Sequence, residues 1–435
     1  MSSNQLSSTT MNAAKWMALS AAVLGWMFDG LEMGLFPLVG RPAMLEFTGS
    51  DAASGYWFSI IIATFLVGAA FGGLLLGWLG DRIGRTRAMV WSVLAYSIFS
   101  GLCAFTTAPW QIAALRFLAA LGMGGQWSLG VALVMEIFPM KSRPLMAGLI
   151  GAAANVGFLL IALLSLGLSS FIASITGFLH AVLPDHLAAA LVANHAWRLL
   201  MLLGAMPALL TFFIRVFVPE SEMWQKSSQK QAAPSMGEMF KGGLGRLVLL
   251  GSLLGTVALL GTWGSVQWIP AWADKLSNKA HGAREAAQIA SALGAIVFPI
   301  LVALIAEKLN RRVTYFTLAL LSLLACQFLF RSNLGYGSSF LAWTFLVGGL
   351  TAGFYGWLPL YLPELFPTRM RAMGAGFTYN AGRILAAGGT LGAGGLVAHF
   401  KGDFGKMCSV ISLVYIIGMV IIWFSPETKG KALPE

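Results

Sequence analysis

Hydrophobic runs of about 20 residues or more recur from one end of this 435-residue chain to the other. That is the length a helix needs to cross the hydrocarbon of a bilayer. In lipid no water satisfies a bare peptide group, so only helices and closed barrels can span it. The runs are continuous rather than alternating, which excludes the barrel. Charge agrees with length: 57% of residues are hydrophobic and 10% charged, where a soluble chain would carry roughly a quarter charged. The fold class these runs dictate is an all-α polytopic membrane protein.

Twelve transmembrane spans are expected, near 16–40, 57–79, 88–106, 110–138, 144–170, 197–218, 244–272, 285–306, 313–331, 339–366, 372–400 and 406–425. An even number puts both termini on one side. The loops on that side hold 17 Lys and Arg and the opposite loops hold 8, so the positive-inside rule places both termini in the cytoplasm. The polar residues 1–15 read as a cytoplasmic tail and not as a cleaved signal. The organisation that follows is a six-helix bundle over 16–218, a polar linker over 219–243, a second six-helix bundle over 244–425 and a tail over 426–435.

The formal charge of +11 is scattered between spans, which argues against nucleic acid as a partner. Cys103, Cys326 and Cys408 lie in apolar runs, where a thiol packs as a small hydrophobe; neither a disulfide nor a metal site is expected from them. The connection 171–196 holds His180, Asp185, His186 and His195. A short surface helix packed on the outer face is the expectation there, with metal binding as the alternative.

The two halves repeat each other. MEIFPMKSRPLMAG (135–148) follows span 4 and PELFPTRMRAMGAG (363–376) follows span 10, so that Glu136 meets Glu364 and Arg143 meets Arg371 at a shift of 228 residues. The loops after spans 2 and 8 match in the same way: Asp81 meets Glu307 and Arg85 meets Arg311 at a shift of 226. The result is a six-plus-six duplication, the plan of transporters whose halves rock around a central site. Such acids and bases could simply anchor helix ends. Their recurrence together in matching loops favours a cytoplasmic gate that locks the two bundles in one state and frees them in another.

The Gly-x-Leu-Gly-Asp-Arg-x-Gly-Arg loop at 77–85, the Glu-x-x-Pro-x-x-x-Arg motifs and the duplication resemble the major facilitator superfamily from about residue 16 to residue 430. PESEMW (219–224) and PETKG (426–430) resemble signatures of sugar porters and related proton symporters. YLPELFPTRMRAMGAGFTYNAGR (361–383) is most similar to the metabolite and sialate:proton symporters. The resemblance implies two pseudo-symmetric six-helix bundles, a small organic acid as substrate, protons as the coupling ion, the bacterial inner membrane as the location, a monomer and no cofactor.

Four ionisable residues sit deep within spans: Asp29, Glu32, Arg116 and Arg383. A charge at a helix centre costs several kcal/mol in lipid, so it is expected to face a polar passage. Asp29 and Glu32 are three apart and share a face of span 1. Two carboxylates so close in a low dielectric do not both stay ionised readily, which suits one of them to load and release a proton. In sugar-porter relatives an acid of span 1 pairs with an arginine of span 4, and the resemblance maps that pair onto Asp29 and Arg116. A static bridge fixing helix packing is the alternative. Neither charge recurs in the second half, where Arg116 meets Thr344.

Arg383 in span 11 finds no acid inside spans 7–12. A guanidinium matches a carboxylate in a bidentate manner, so the expectation is that the substrate brings the charge. Pairing across the passage with Asp29 or Glu32 is the alternative. Tyr379 and Asn380 share its helical face, and Asn155 is its counterpart in span 5. Gln126, Trp127, Gln267 and Tyr355 complete the expected substrate contacts, with Trp263 and Trp357 as further aromatic candidates.

The function expected is proton-coupled import of a small organic anion. A sugar symporter is the first rival, though TWGSVQWIPAW (262–272) lacks the glutamine pair and Asn-rich stretch such porters carry in span 7. A drug:proton antiporter is the second, but AGLIGAAANVGFLLIALL (147–164) has no Gly-Pro motif. No ATP-binding loop or nucleophile–base pair is apparent, so a pump or an enzyme is not expected. A receptor on a transporter scaffold would bind without flux.

Overall fold

The computed structural model of the chain describes residues 3–230, 235–278, 282–332, 334–400 and 403–434. Part of the expected linker (231–234) and the loop cations Lys279 and Lys401 lie outside the described residues. Span 1 is α1 (Ser3–Thr48), and spans 2 to 5 are α2 (Asp51–Ile83), α3 (Arg85–Leu102), α4 (Pro109–Ile137) and α5 (Arg143–Val182). Span 6 is built from α6 (Asp185–Leu203) and α7 (Ala208–Phe217), and α8 (Glu222–Lys230) follows it. In the second half α9 (Gly242–Gly264) with α10 (Ile269–Leu276) forms span 7, and α11 (Ala283–Lys308) and α12 (Arg311–Arg331) are spans 8 and 9. Span 10 is α13 (Ser338–Ala352) with α14 (Phe354–Tyr361), span 11 is α15 (Arg371–His399), and span 12 is α16 (Phe404–Ser412) with α17 (Val414–Ile421).

Among the described residues eleven spans are long and apolar enough by composition to cross a membrane. The twelfth, α15, is 29 residues long, and its glycines and polar residues dilute its hydropathy. The polar residues from Ser3 are helical and run into α1 without a break. One expectation needs correction. The connection 171–196 is not a short surface helix: α5 runs on to Val182, and α6 begins at Asp185. Residues 171–182 are apolar and helix-compatible, and Pro184 removes the donor that would carry the helix further. His180 Nδ1 lies 2.8 Å from Asp185 Oδ1 across this break. Among the described residues no group of three metal-ligating side chains comes together.

Within the halves, α1 packs on α5 as α9 packs on α15, and α2 packs on α4 as α11 packs on α13. The halves meet along α2 against α15 and along α5 against α11 and α14, which are again paired by the repeat. Small residues bring these backbones together. A Cβ at Gly30 would strike the Ala154 carbonyl of α5, so α1 lies directly on α5 and presents the neighbouring Asp29 to the seam between the halves.

Candidate functional site

The charged loop motifs gather at the end of the bundle that carries the more basic loops. Arg85 lies 2.7 Å from Asp81 and 3.1 Å from Glu136, all three side chains fully buried. Glu136 also accepts from Arg371 of the other half at 3.0 Å. Two further contacts cross the seam. Asp81 accepts the backbone N–H groups of Met373 at 2.9 Å and Ala372 at 3.4 Å, at the positive end of α15. Arg85 donates to the Thr368 carbonyl at 2.9 Å. Near the far end of the chain, the Pro434 carbonyl accepts from Arg371 at 2.9 Å and from the Thr368 N–H at 3.2 Å. This end of the seam is closed.

The repeat is obeyed in sequence but not in bonding. Arg311 binds Glu364 at 2.9 Å within its own half, while Glu307 stands 3.8 Å away and 48% exposed. Arg143 donates to the Phe138 carbonyl at 3.1 Å and reaches no carboxylate among the described residues. Of the eight expected gate residues, Asp81, Arg85, Glu136 and Arg371 therefore form the lattice that joins the halves. Arg311 and Glu364 brace one half, and Glu307 and Arg143 stand at the edge.

Two carboxylates missed by the sequence reading fasten this end. Glu220 accepts the N–H groups of Arg85 and Thr86 at 2.9 and 3.1 Å. Glu427 accepts those of Arg311 and Arg312 at 3.1 and 3.2 Å. Each caps the start of a span, satisfying amides with no partner inside the helix. The turn beside Glu220 needs glycine: Gly84 has φ 106°, and the Glu220 side chain fills the place a Cβ would take. Burial pushes the Glu220 carboxyl above its ordinary range, against the amides of Ser221, Thr86 and Arg85. Burial acts on Glu427 too, but the N–H groups of Lys429, Arg311 and Arg312 outweigh it and hold the carboxyl below that range. A depressed carboxyl stabilises the fold above its unfolded value of about 4.3 and loses that contribution as pH falls through the folded value. Glu427→Gln should therefore lower stability by about 1 kcal/mol at pH 7, after discounting for solvent screening. Melting curves of variant and wild type should converge only as the pH is taken below about 4, through the folded value; a gap that does not change with pH would refute the cap.

Above the closed end the two halves pack together around a buried cluster of aromatic and charged side chains. Trp127 of α4 stacks on Tyr379 of α15 at 4.0 Å with 17° between the rings, and Trp26 meets both at 6.5 and 6.3 Å. One turn further along α15, the Arg383 guanidinium lies 5.4 Å from the Tyr379 ring, 2% exposed, with Nε and Nη1 unbonded. Asp29 is fully buried, and both its oxygens lack a hydrogen-bond partner. The charge acting most strongly on Asp29 is Arg383, yet no carboxylate among the described residues reaches ion-pair distance of that arginine.

The expected pairing of Asp29 with Arg116 is corrected here. Arg116 pairs with Glu32, and its guanidinium is sandwiched over Phe65 and Phe36 at 4.5 and 5.3 Å. Glu32 lies one turn nearer the C-terminal end of α1 than Asp29, level with Arg116 near the start of α4 and away from the basic end. The two acids are thereby split: one is bound to an arginine, and the other faces the seam without a bond.

The other expected contacts divide in two. Gln126 lies beside Gly25 of α1 with both amide atoms unbonded, next to Trp127. Asn380 is spent on structure: it donates to Gly124 across the seam at 3.1 Å and to Gly376 at 2.8 Å. Asn155 donates to the Ala295 carbonyl at 3.1 Å and, with Gln267 and Tyr355, lines a cavity of about 40 Å³ that Gln288 and Ser291 complete. Tyr355 is within electrostatic reach of Arg383 and Tyr379, so this cavity lies close to that cluster. Trp357 belongs elsewhere: it donates to the Arg311 carbonyl at 3.0 Å. The sequence reading also missed Tyr96, buried within electrostatic reach of Asp29 and Glu32. Its signal was the polar stripe Ser92, Tyr96, Ser100 at four-residue spacing in an apolar helix.

Comparison with known proteins matches this architecture. The cis,cis-muconate transport protein of Acinetobacter baylyi is 28% identical, over 92% of this chain and 94% of the relative. The niacin transporter NiaP of the same organism is 25% identical, over 94% and 93%. Among solved structures, the proton:xylose symporter XylE bound to a bromodeoxyglucose superposes with a TM-score of 0.74 at 18% identity, covering 97% of this chain and 98% of that one. The family model described as Major Facilitator Superfamily matches residues 16–390, and this chain belongs to that superfamily of membrane transporters.

Proposed function

We propose that the protein is a proton-coupled symporter that imports a small organic anion by alternating access. The observation that carries this is a pair of buried charges with unsatisfied polar atoms at the seam: both oxygens of Asp29, and Nε and Nη1 of Arg383. A buried guanidinium with free donors calls for an acceptor of matching charge, and a carboxylate substrate supplies it. Asp29 is the group left to take up a proton, since Glu32 is held by Arg116. The stacked rings of Trp127 and Tyr379 beside Arg383 favour planar acids, and muconate and niacin, for which two relatives are named, are carboxylic acids of that kind. Aromatic acids therefore head the substrate panel, followed by other monocarboxylates and sialic acid. A neutral sugar would leave Arg383 without a counter-charge. Proteoliposomes under an imposed pH gradient should accumulate a labelled aromatic acid in excess of hexose; gradient-insensitive uptake of hexose alone would refute the reading.

In this reading the basic end is the cytoplasmic side, and the lattice there is the inner gate. Glu136 is its hub, since it neutralises Arg85 and Arg371 at once. Removing one partner of a buried ion pair costs about 3–5 kcal/mol, and separating the halves would relieve much of that cost. Glu136→Gln is therefore expected to favour opening. Ser128, which packs on Gly376 across the seam, reports it: a Ser128→Cys thiol should react several-fold faster in the Glu136→Gln background. The native cysteines are all buried. Equal rates in both backgrounds would remove Glu136 from the gate.

A further inference from the structure

A second site lies on the flank of the first half, away from Asp29 and Arg383. Between the start of α3 and the end of α7 is a cleft of about 660 Å³. Its rim carries two exposed arginines, Arg87 and Arg215, and neither has a hydrogen bond or ion pair among the described residues. Its floor includes Val90 and Leu94. Trp91, 61% exposed, flanks it. The acid in its wall does not neutralise the arginines, because the Glu220 carboxylate is occupied by the α3 amides.

The repeat separates architecture from recognition. At the shift that aligns Asp81 with Glu307, Arg87 falls on Val313; at the shift that aligns Glu220 with Glu427, Arg215 falls on Ile422. Arginines at the matching end of the second half are satisfied internally. Arg246 and Arg312 donate to the carbonyls of Phe424 and Ser425 at 3.3 and 2.7 Å. Holding the helix ends in place therefore does not require the two open cations of the first half.

We propose that this cleft binds the headgroup of an anionic phospholipid, with its phosphate between Arg87 and Arg215 and an acyl chain on the apolar floor. Charge selects the headgroup. Location selects a lipid over free phosphate: the flank continues into exposed Ile98 and Val216, a surface that only hydrocarbon covers well, and tryptophan with arginine is the pairing favoured at headgroup depth.

The test is titration of the purified full-length protein with phosphatidylglycerol and phosphatidylcholine, read by native mass spectrometry. Arg87→Gln/Arg215→Gln should bind phosphatidylglycerol about twenty-fold more weakly than wild type. The exposed control pair Lys141→Gln/Lys241→Gln should stay within about two-fold. Phosphatidylcholine should bind weakly throughout, and millimolar inorganic phosphate should not displace the lipid. Undiminished binding to the arginine variant, equal loss in both variants, or full displacement by phosphate would each overturn the site. Should the double variant fail to assemble, Arg87→Gln alone carries the same test, with an expected loss of about five-fold.

Discussion

Asp29→Asn proteoliposomes should exchange substrate across the membrane but fail to concentrate it when a pH gradient is imposed. One coupled proton turns each pH unit of gradient into about tenfold accumulation, since one unit is worth about 1.4 kcal/mol. Asparagine has nearly the same shape but cannot take up the proton, so the accumulation ratio should fall to about one while counterflow persists. The geometry makes the prediction specific to Asp29. Its oxygens are unbonded, so the substitution breaks no hydrogen bond or ion pair, although it removes the acid whose charge acts on Arg383. Glu32→Gln is a different experiment: it would strand Arg116 between Phe36 and Phe65 at a cost of about 3–5 kcal/mol, and poor assembly is its expected result. Wild-type accumulation by Asp29→Asn would move the proton site elsewhere.

The contrast between these acids shows what the sequence could reveal. Their presence at depth in α1 was plain from WMFDGLEMGLF (26–36), because charge in an apolar run is costly enough to be informative. Which of them meets Arg116 was not. Residues three apart differ by about 60° and 4.5 Å along a helix, and that small difference is resolved by how α1 crosses α4. The duplication was legible for the same reason as the spans: it is written in local strings. Its breakdown into a crossing lattice around Glu136 and a self-contained brace around Arg311 was hidden, since identical motifs bond differently once the halves tilt. Glu220 and Glu427 were in view as signature residues, but their work as caps depends on linker segments folding back 135 and 116 residues along the chain.

Arg383→Ala should weaken binding of a carboxylate substrate by about 30-fold or more, the loss expected when one partner of a buried, hydrogen-bonded charge pair is removed. The decisive comparison is with the primary amide of the same acid, which has the same outline and no charge. Wild type should strongly prefer the acid; the variant should bind both weakly and nearly alike. Arg383→Lys should fall between them, because an ammonium keeps the charge but loses the planar fork. This series separates recognition from architecture. If Arg383 served only to hold α15 in place, both ligands would lose affinity in the same proportion, and lysine would do no better than alanine. The local structure argues against that outcome: Nε and Nη1 hold no protein partner, and Tyr379 offers a ring face 5.4 Å away that serves lysine as well as arginine. Because the guanidinium also bonds the Tyr379 side chain, it is the comparison of acid with amide in each protein that isolates the ligand's share of the loss. Isothermal titration of both ligands against the three proteins reads the result directly, and an acid affinity unchanged by Arg383→Ala would take this residue out of the site.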